Sequence, residues 1–189
     1  MQRLIPLLLI LSLVSGCSQQ NSENSQPEFP DNPQLIVAAE AGDLPTIRKL
    51  IDENSPVDVQ DACLWTPLMK SALNGHLEVT QRLLDAGAQV NQVDKGGYSA
   101  MMLAVSNNHY QIAELLLNRG ADINQIEITG GWSALIWAAK LGYTESVSLL
   151  LAHNALTSIK DFDNMSALDW AQKNQHSEIV KLLESKQSQ

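Results

Sequence analysis

Only two cysteines, Cys17 and Cys63, occur in 189 residues, so a framework of several disulfides is excluded as the organising principle of the fold. Basic residues are also scarce: Lys and Arg number 12 against 21 Asp and Glu, for a formal net charge of -9. A phosphate-binding surface needs clustered Lys and Arg, whereas Lys140, Lys160, Lys173 and Lys181 are interspersed with acids. Nucleic acid is therefore not an expected partner. A protein with a basic surface matches the charge better, and ordinary solubility is the plainer account of the same acidity. The sequence has no His-Glu-x-x-His, Cys-x-x-Cys, Gly-rich phosphate loop or Gly-x-Ser-x-Gly, the spacings that would place a metal, a redox pair, a phosphate or a nucleophile. No catalytic residue, metal or cofactor is expected. Asp161, Asp163 and Asp169 gather in one short stretch, and the first two read as solvated loop residues. Finally, no apolar run reaches the roughly 20 residues a membrane-spanning helix needs.

What the sequence does contain is a period. The stretch Asp61 to Val93, 33 residues long, recurs with the same punctuation as Glu28 to Gln60, Asp94 to Ile126, Ile128 to Lys160 and a shortened Asp161 to Glu184, with Glu127 as a single inserted residue. Within each copy Thr66, Ser99, Ser133 or Ser166 is placed to cap a helix, and Pro67 suits a first helical position, where no amide donor is needed. A short helix follows and ends near Gly75, Asn108 or Gly142, with Gln175 a poorer fit at that place. A second helix carries apolar residues at helical spacing, as in Val79, Leu83 and Leu84, and stops at Asn54, Gly87, Gly120 and Asn154, all able to take a left-handed backbone. Helices of about ten residues are marginal alone in water, so each pair must stack on the next. The exposed sides of the end copies should be polar, and Arg48, Lys49 and Glu184 make them so.

The wording of these copies, TPLMKSALNGH, SAMMLAVSNNH, SALIWAAKLGY and SALDWAQKNQH, with Gly-Ala-x-Val/Ile-Asn after two of them, resembles the ankyrin repeat. The resemblance implies an all-α solenoid of stacked helix-turn-helix units joined by β-hairpin-like loops, about five repeats including caps. Their expected bounds are 32–60 for an N-terminal cap, 61–93, 94–126 and 127–160 for three repeats, and 161–189 for a C-terminal cap with its tail. It also implies protein binding. His76, His109 and His176, with Tyr143 at the same place in the fourth copy, then read as packing and hydrogen-bonding residues, too far apart to share a metal.

Ahead of the repeats, Met1 to Val14 carries one basic residue, Arg3, and an apolar run of about eleven residues, the pattern of a secretory signal. Val14-Ser15-Gly16-Cys17 resembles a bacterial lipobox, which implies removal of residues 1–16 and lipidation of Cys17. Several acyl chains on one residue anchor a protein stably without spanning. Ser18 after the cysteine implies, by resemblance to Gram-negative lipoproteins, the outer membrane, with the domain facing the periplasm. Residues 17–31, rich in Ser, Gln, Asn and Pro, read as a flexible tether. Lipidation would withdraw Cys17 from disulfide chemistry, so cohesion is expected from stacked helices alone and Cys63 reads as an ordinary small residue in a loop.

The residue before each cap is large: Trp65, Tyr98, Trp132 and Met165. The period sets these side chains along one edge of the stack, where aromatic rings serve as anchors for a protein partner or else lie flat and seal the edge. Trp137 and Trp170, in the first helices, are secondary candidates that could reach the concave face, with Lys140 and Lys173 among the residues completing it. The reading is a monomeric, membrane-anchored module that binds an envelope protein without catalysis. Alternatives are an immunity protein against a toxin delivered to the periplasm, and a redox or peroxide-defence factor using Cys63 or the histidines.

Overall fold

The computed structural model describes residues 33–187. Ten helices follow in order: α1 (Gln34–Ala41), α2 (Leu44–Asp52), α3 (Pro67–Leu73), α4 (Leu77–Asp85), α5 (Ala100–Ser106), α6 (Tyr110–Asn118), α7 (Ala134–Leu141), α8 (Thr144–Ala152), α9 (Ala167–Lys173) and α10 (Ser177–Gln187). They form five antiparallel pairs. First helices pack on first helices, α1 on α3 through to α7 on α9, and second helices on second helices, α2 on α4 through to α8 on α10. This is the helical repeat solenoid that the period predicts.

The caps are formed as expected. The hydroxyls of Thr66, Ser99 and Ser133 accept the amides of Met69, Met102 and Ile136. Ser166 does the same for Asp169, whose carboxylate reaches back to the Ser166 amide and closes a capping box. The first pair begins on Pro33, which has no side-chain cap. Left-handed backbone occurs at each predicted stop: Gly75, Asn108, Gly142 and Gln175 after first helices, and Asn54, Gly87, Gly120 and Asn154 after second helices.

Two columns explain why such short helices hold. Leu83, Leu116, Leu150 and Leu183, one from each second helix after the first pair, are all at 0% exposure. Each such leucine contributes roughly 1.5–3 kcal/mol by leaving water. Ala38, Ser71, Ala104, Ala138 and Ala171 form a buried column of small residues in the first helices, which lets neighbouring backbones approach closely. Where Ser71 breaks the alanine series, its hydroxyl donates to the Leu68 carbonyl and accepts from Thr80, so no polar group is stranded.

The histidines are stitches between repeats. His76 Nε2 donates to the Glu40 carbonyl at 3.0 Å, and His176 Nε2 to the Lys140 carbonyl at 3.2 Å, each in the preceding repeat. Their rings occupy the space that a side chain would need at the preceding bend. A Cβ on Gly42, Gly75 or Gly142 would lie 2.6–2.8 Å from the ring of His76, His109 or His176.

One expectation is corrected: Cys63 is not left without a mate, and it is half-buried against the core, not an open loop residue. The expected signal segment, Cys17 and the expected tether up to Asp31 lie outside the described residues.

Candidate protein-binding surface

Each hairpin between repeats is built on one carboxylate. Asp61 Oδ1 accepts the amides of Cys63 and Trp65 at 2.8 and 2.9 Å. Asp94 Oδ1 accepts those of Gly96 and Tyr98 at 2.8 and 2.9 Å, and Asp161 Oδ1 those of Asp163 and Met165 at 3.0 and 2.8 Å. A carboxylate that gathers backbone N–H groups closes a loop whose amides have no ladder to join. Single isolated bridges, Val93 to Ser99, Ile126 to Ser133 and Lys160 to Ser166, are the β-hairpin character of these loops.

The same geometry corrects the place of the insertion. Glu127 is not the extra residue; it stands where Asp61, Asp94 and Asp161 stand, fully buried, and its Oε1 accepts Gly130 N and Trp132 N at 2.8 and 3.0 Å. The loop between it and Trp132 is one residue longer than its counterparts, and the additional methylene of Glu spans the greater distance. Its Oε2 takes the amide of Thr129 at 2.5 Å and the Thr129 hydroxyl.

Asp161 is corrected too. It is 5% exposed, not solvated, and its second oxygen accepts two indoles: Trp132 Nε1 at 3.0 Å and Trp170 Nε1 at 2.7 Å. Burial pushes this carboxyl up, but the N–H donors of Met165, Trp170, Trp132 and Asp163 outweigh it and hold it below the ordinary value. Asp94, which accepts no indole, goes the other way: burial raises it past what the Tyr98 and Gly96 amides offset, and the Asp61 charge adds to the rise.

The row of large residues is thus more deeply set than an exposed rim. Trp65 is buried at 7% exposure, and Trp137 and Trp170 at 6% and 8%. Tyr98, Trp132 and Met165 are half-buried, packed against the core. The Tyr98 hydroxyl lies 3.2 Å from Thr129 Oγ1 of the next hairpin, so its ring does lie along its neighbour's loop. At the C-terminal end the indoles come together. Trp132 meets Trp137 edge to face with centroids 4.5 Å apart and Trp170 at 6.4 Å. Lys140 Nζ sits 3.6 Å over the Trp132 ring and 4.1 Å over Trp170, and Lys173 Nζ lies 4.5 Å over Trp170. Burial pushes the Lys140 ammonium down, Asp161 pulls it up, and Lys173 depresses it again. The Trp137 indole N–H has no hydrogen-bond partner.

The most exposed large apolar side chains are elsewhere on the same hairpins. Ile128 and Phe162, at equivalent places in successive hairpins, are 66% and 68% exposed. Phe162 N donates to the Gly130 carbonyl at 2.9 Å, and its ring occupies the space a Cβ on Gly131 would take, as Ile128 does at Gly97. Phe162 is thereby set against the hairpin that carries Trp132, and Ile128 against the one that carries Tyr98. Phe162, one of two phenylalanines in the chain, falls one residue past a hairpin carboxylate, and that position was the available signal for it.

Among the described residues no group of three His, Cys, Asp or Glu side chains is placed to hold a metal, and no helix is long and apolar enough to cross a membrane.

Stacked helix pairs with projecting hairpins, exposed apolar tips and a cationic aromatic cluster define a helical repeat scaffold that presents a surface to other proteins. The chain belongs to the ankyrin-repeat family: the family model described as Ankyrin repeats (3 copies) matches residues 35–127 and 126–189. Such repeats indicate a protein–protein interaction module. No curated protein matches the chain.

Proposed function

We propose that this chain is a non-catalytic, lipid-anchored protein of the bacterial envelope that binds a protein partner on the hairpin tips and first-helix face of its last repeats. The observation that carries the reading is that Phe162 and Ile128, both largely exposed, stand on successive hairpins, Phe162 against the hairpin of half-buried Trp132, with the Lys140 and Lys173 ammonium groups over the adjoining indoles. Large apolar groups held on rigid loops bury much area at small entropic cost, and a central aromatic anchor ringed by polar groups is the usual anatomy of a binding hot spot. Trp65, Trp137 and Trp170 support that surface from below, while Tyr98, Trp132 and Met165 contribute their open edges to it. Anchoring rests on Val14-Ser15-Gly16-Cys17 after a short apolar run, and the outer membrane with a periplasm-facing domain on Ser18.

A photo-crosslinking amino acid placed at position 162 in cells, with position 114 on the opposite helix row as control, tests the surface. A discrete adduct from 162 and none from 114 is expected; equal labelling from both sites rejects it. For the anchor, Cys17→Ser should move the protein from the membrane to the soluble fraction. The Cys17 sulfur can carry a thioether or one half of a cystine but not both, so the mass of the N-terminal peptide decides between them, and a cystine overturns the lipid anchor.

A further inference from the structure

We infer that the first-helix face of the last two repeats receives an acidic segment of the partner protein, a carboxylate of that segment pairing with Lys140 and Lys173 while its apolar neighbours rest on Trp132 and Phe162. The inference rests on the reading of that face as a binding surface and adds the chemistry of what it binds. Four ion pairs occur among the described residues, and they engage Lys49, Lys70, Arg82 and Arg119. Lys140 and Lys173 are in none of them. Each instead lies over an indole, an arrangement that holds the ammonium in place on one side and leaves N–H donors for an acceptor on the other. Both ammonium groups approach the same Trp170 ring, and Lys173 depresses the partly desolvated Lys140 electrostatically, so the two like charges lie close enough to repel.

Asp161 and Asp163 offset part of the Lys140 charge from a distance, but neither forms an ion pair with Lys140 or Lys173. Asp161 is spent on the amides of Asp163 and Met165 and the indoles of Trp132 and Trp170, and Asp163 lies exposed on the hairpin without an ion pair to either lysine. A basic partner would bring a third cation to this point. A carboxylate relieves the repulsion and forms charge-assisted hydrogen bonds with both groups. The formal net charge of -9 argues for a basic partner at long range, but beyond about 8 Å physiological salt screens it, and within that distance the two lysines decide. A segment of protein, as against a small free acid, accounts for the exposed Phe162 and Ile128, which a small anion would leave uncovered.

The test uses the mature-length repeat protein with its native residues and three short fluorescein-labelled peptides, of alternating Glu and Leu, Gln and Leu, and Lys and Leu, read by polarisation and by indole emission. The Glu peptide should bind at least about tenfold more tightly than the Gln peptide, and Lys140→Gln with Lys173→Gln should abolish that preference while circular dichroism stays unchanged. Equal binding of the Glu and Gln peptides, both lost on Phe162→Ala, would overturn the acidic preference and leave the binding surface standing. No binding by the Glu peptide, preference for the Lys peptide, or displacement of the Glu peptide by millimolar free glutamate would each overturn the inference.

Discussion

The two ends of the first-helix face use the same kinds of residue to opposite effect. In the N-terminal region Trp65 stands alone, Lys70 lies 4.8 Å over its ring, and Glu40 of the preceding repeat neutralises that lysine at 3.2 Å. In the C-terminal region three indoles cluster, two share one carboxylate, and two lysines over the rings have no ion pair. One position shows how the difference arises: Glu40, Leu73, Ser106, Lys140 and Lys173 are equivalents in successive repeats. Along that column the charge runs from negative through neutral to positive. A repeat scaffold fixes where side chains point, and successive repeats are then free to differ in what they place there. The neutralised end packs; the charged end is left in want of a partner.

Removing Asp161 should break this contrast most severely. In Asp161→Asn one oxygen, the acceptor of either the two amides or the two indoles, becomes an amide donor facing N–H groups. A loss of about 3 kcal/mol is expected, against about 1–2 kcal/mol for Asp94→Asn, which serves backbone amides only. The pH dependence should have opposite signs. Asp161 titrates below 3.8 in the folded chain, so its stabilisation is present above that value and lost as the pH falls through the lowered one. Asp94 titrates above 3.8, so protonation near that value favours the folded state over the unfolded. Chemical denaturation of both variants at pH 7 and pH 3 measures this, and a gap that fails to narrow in acid would contradict the assignment of Asp161.

The period, the caps and the helix stops were legible in the sequence because each depends on a local rule: a hydroxyl before a helix, a left-handed residue after it, apolar spacing within it. The hairpins were less legible, because the carboxylate at their head recurs with the period but nothing in its spacing discloses that it gathers amides up to four or five residues on. Hence Glu127 reads as an insertion in the sequence, and Asp161 as solvated. The aromatic row was found, but its depth was not. How Trp65 and Trp132 sit depends on Glu40, acting through Lys70, and on Asp161, each in a neighbouring repeat, and a column read within one repeat cannot supply that. The irregular hairpin gives a sharper test of this account. Glu127→Asp shortens the reach to Trp132 and should cost about 1–2 kcal/mol. Deleting Thr129 in the same chain restores the spacing of the other hairpins and should recover part of that loss, a positive coupling in a double-mutant cycle. Simple additivity of the two changes would mean that loop length and side-chain length are unrelated here.

The smallest effect asks whether one end can be made to behave like the other. Glu40 is about half exposed and Lys70 mostly covered, with side chains at 49% and 18%, so their ion pair contributes under about 1 kcal/mol. Glu40→Gln should therefore shift the melting midpoint by no more than a few degrees. What it changes is the local charge: Lys70 stays over Trp65 with no carboxylate beside it, the condition of Lys140 and Lys173. If an unpaired ammonium on an indole is what draws an acidic segment, the Gln variant should acquire a second, weaker site for the Glu and Leu peptide, visible as a change in binding stoichiometry by calorimetry. An unchanged stoichiometry would confine recognition to the C-terminal cluster, where two lysines converge on one ring and apolar tips stand alongside, and would show that a single freed charge is insufficient.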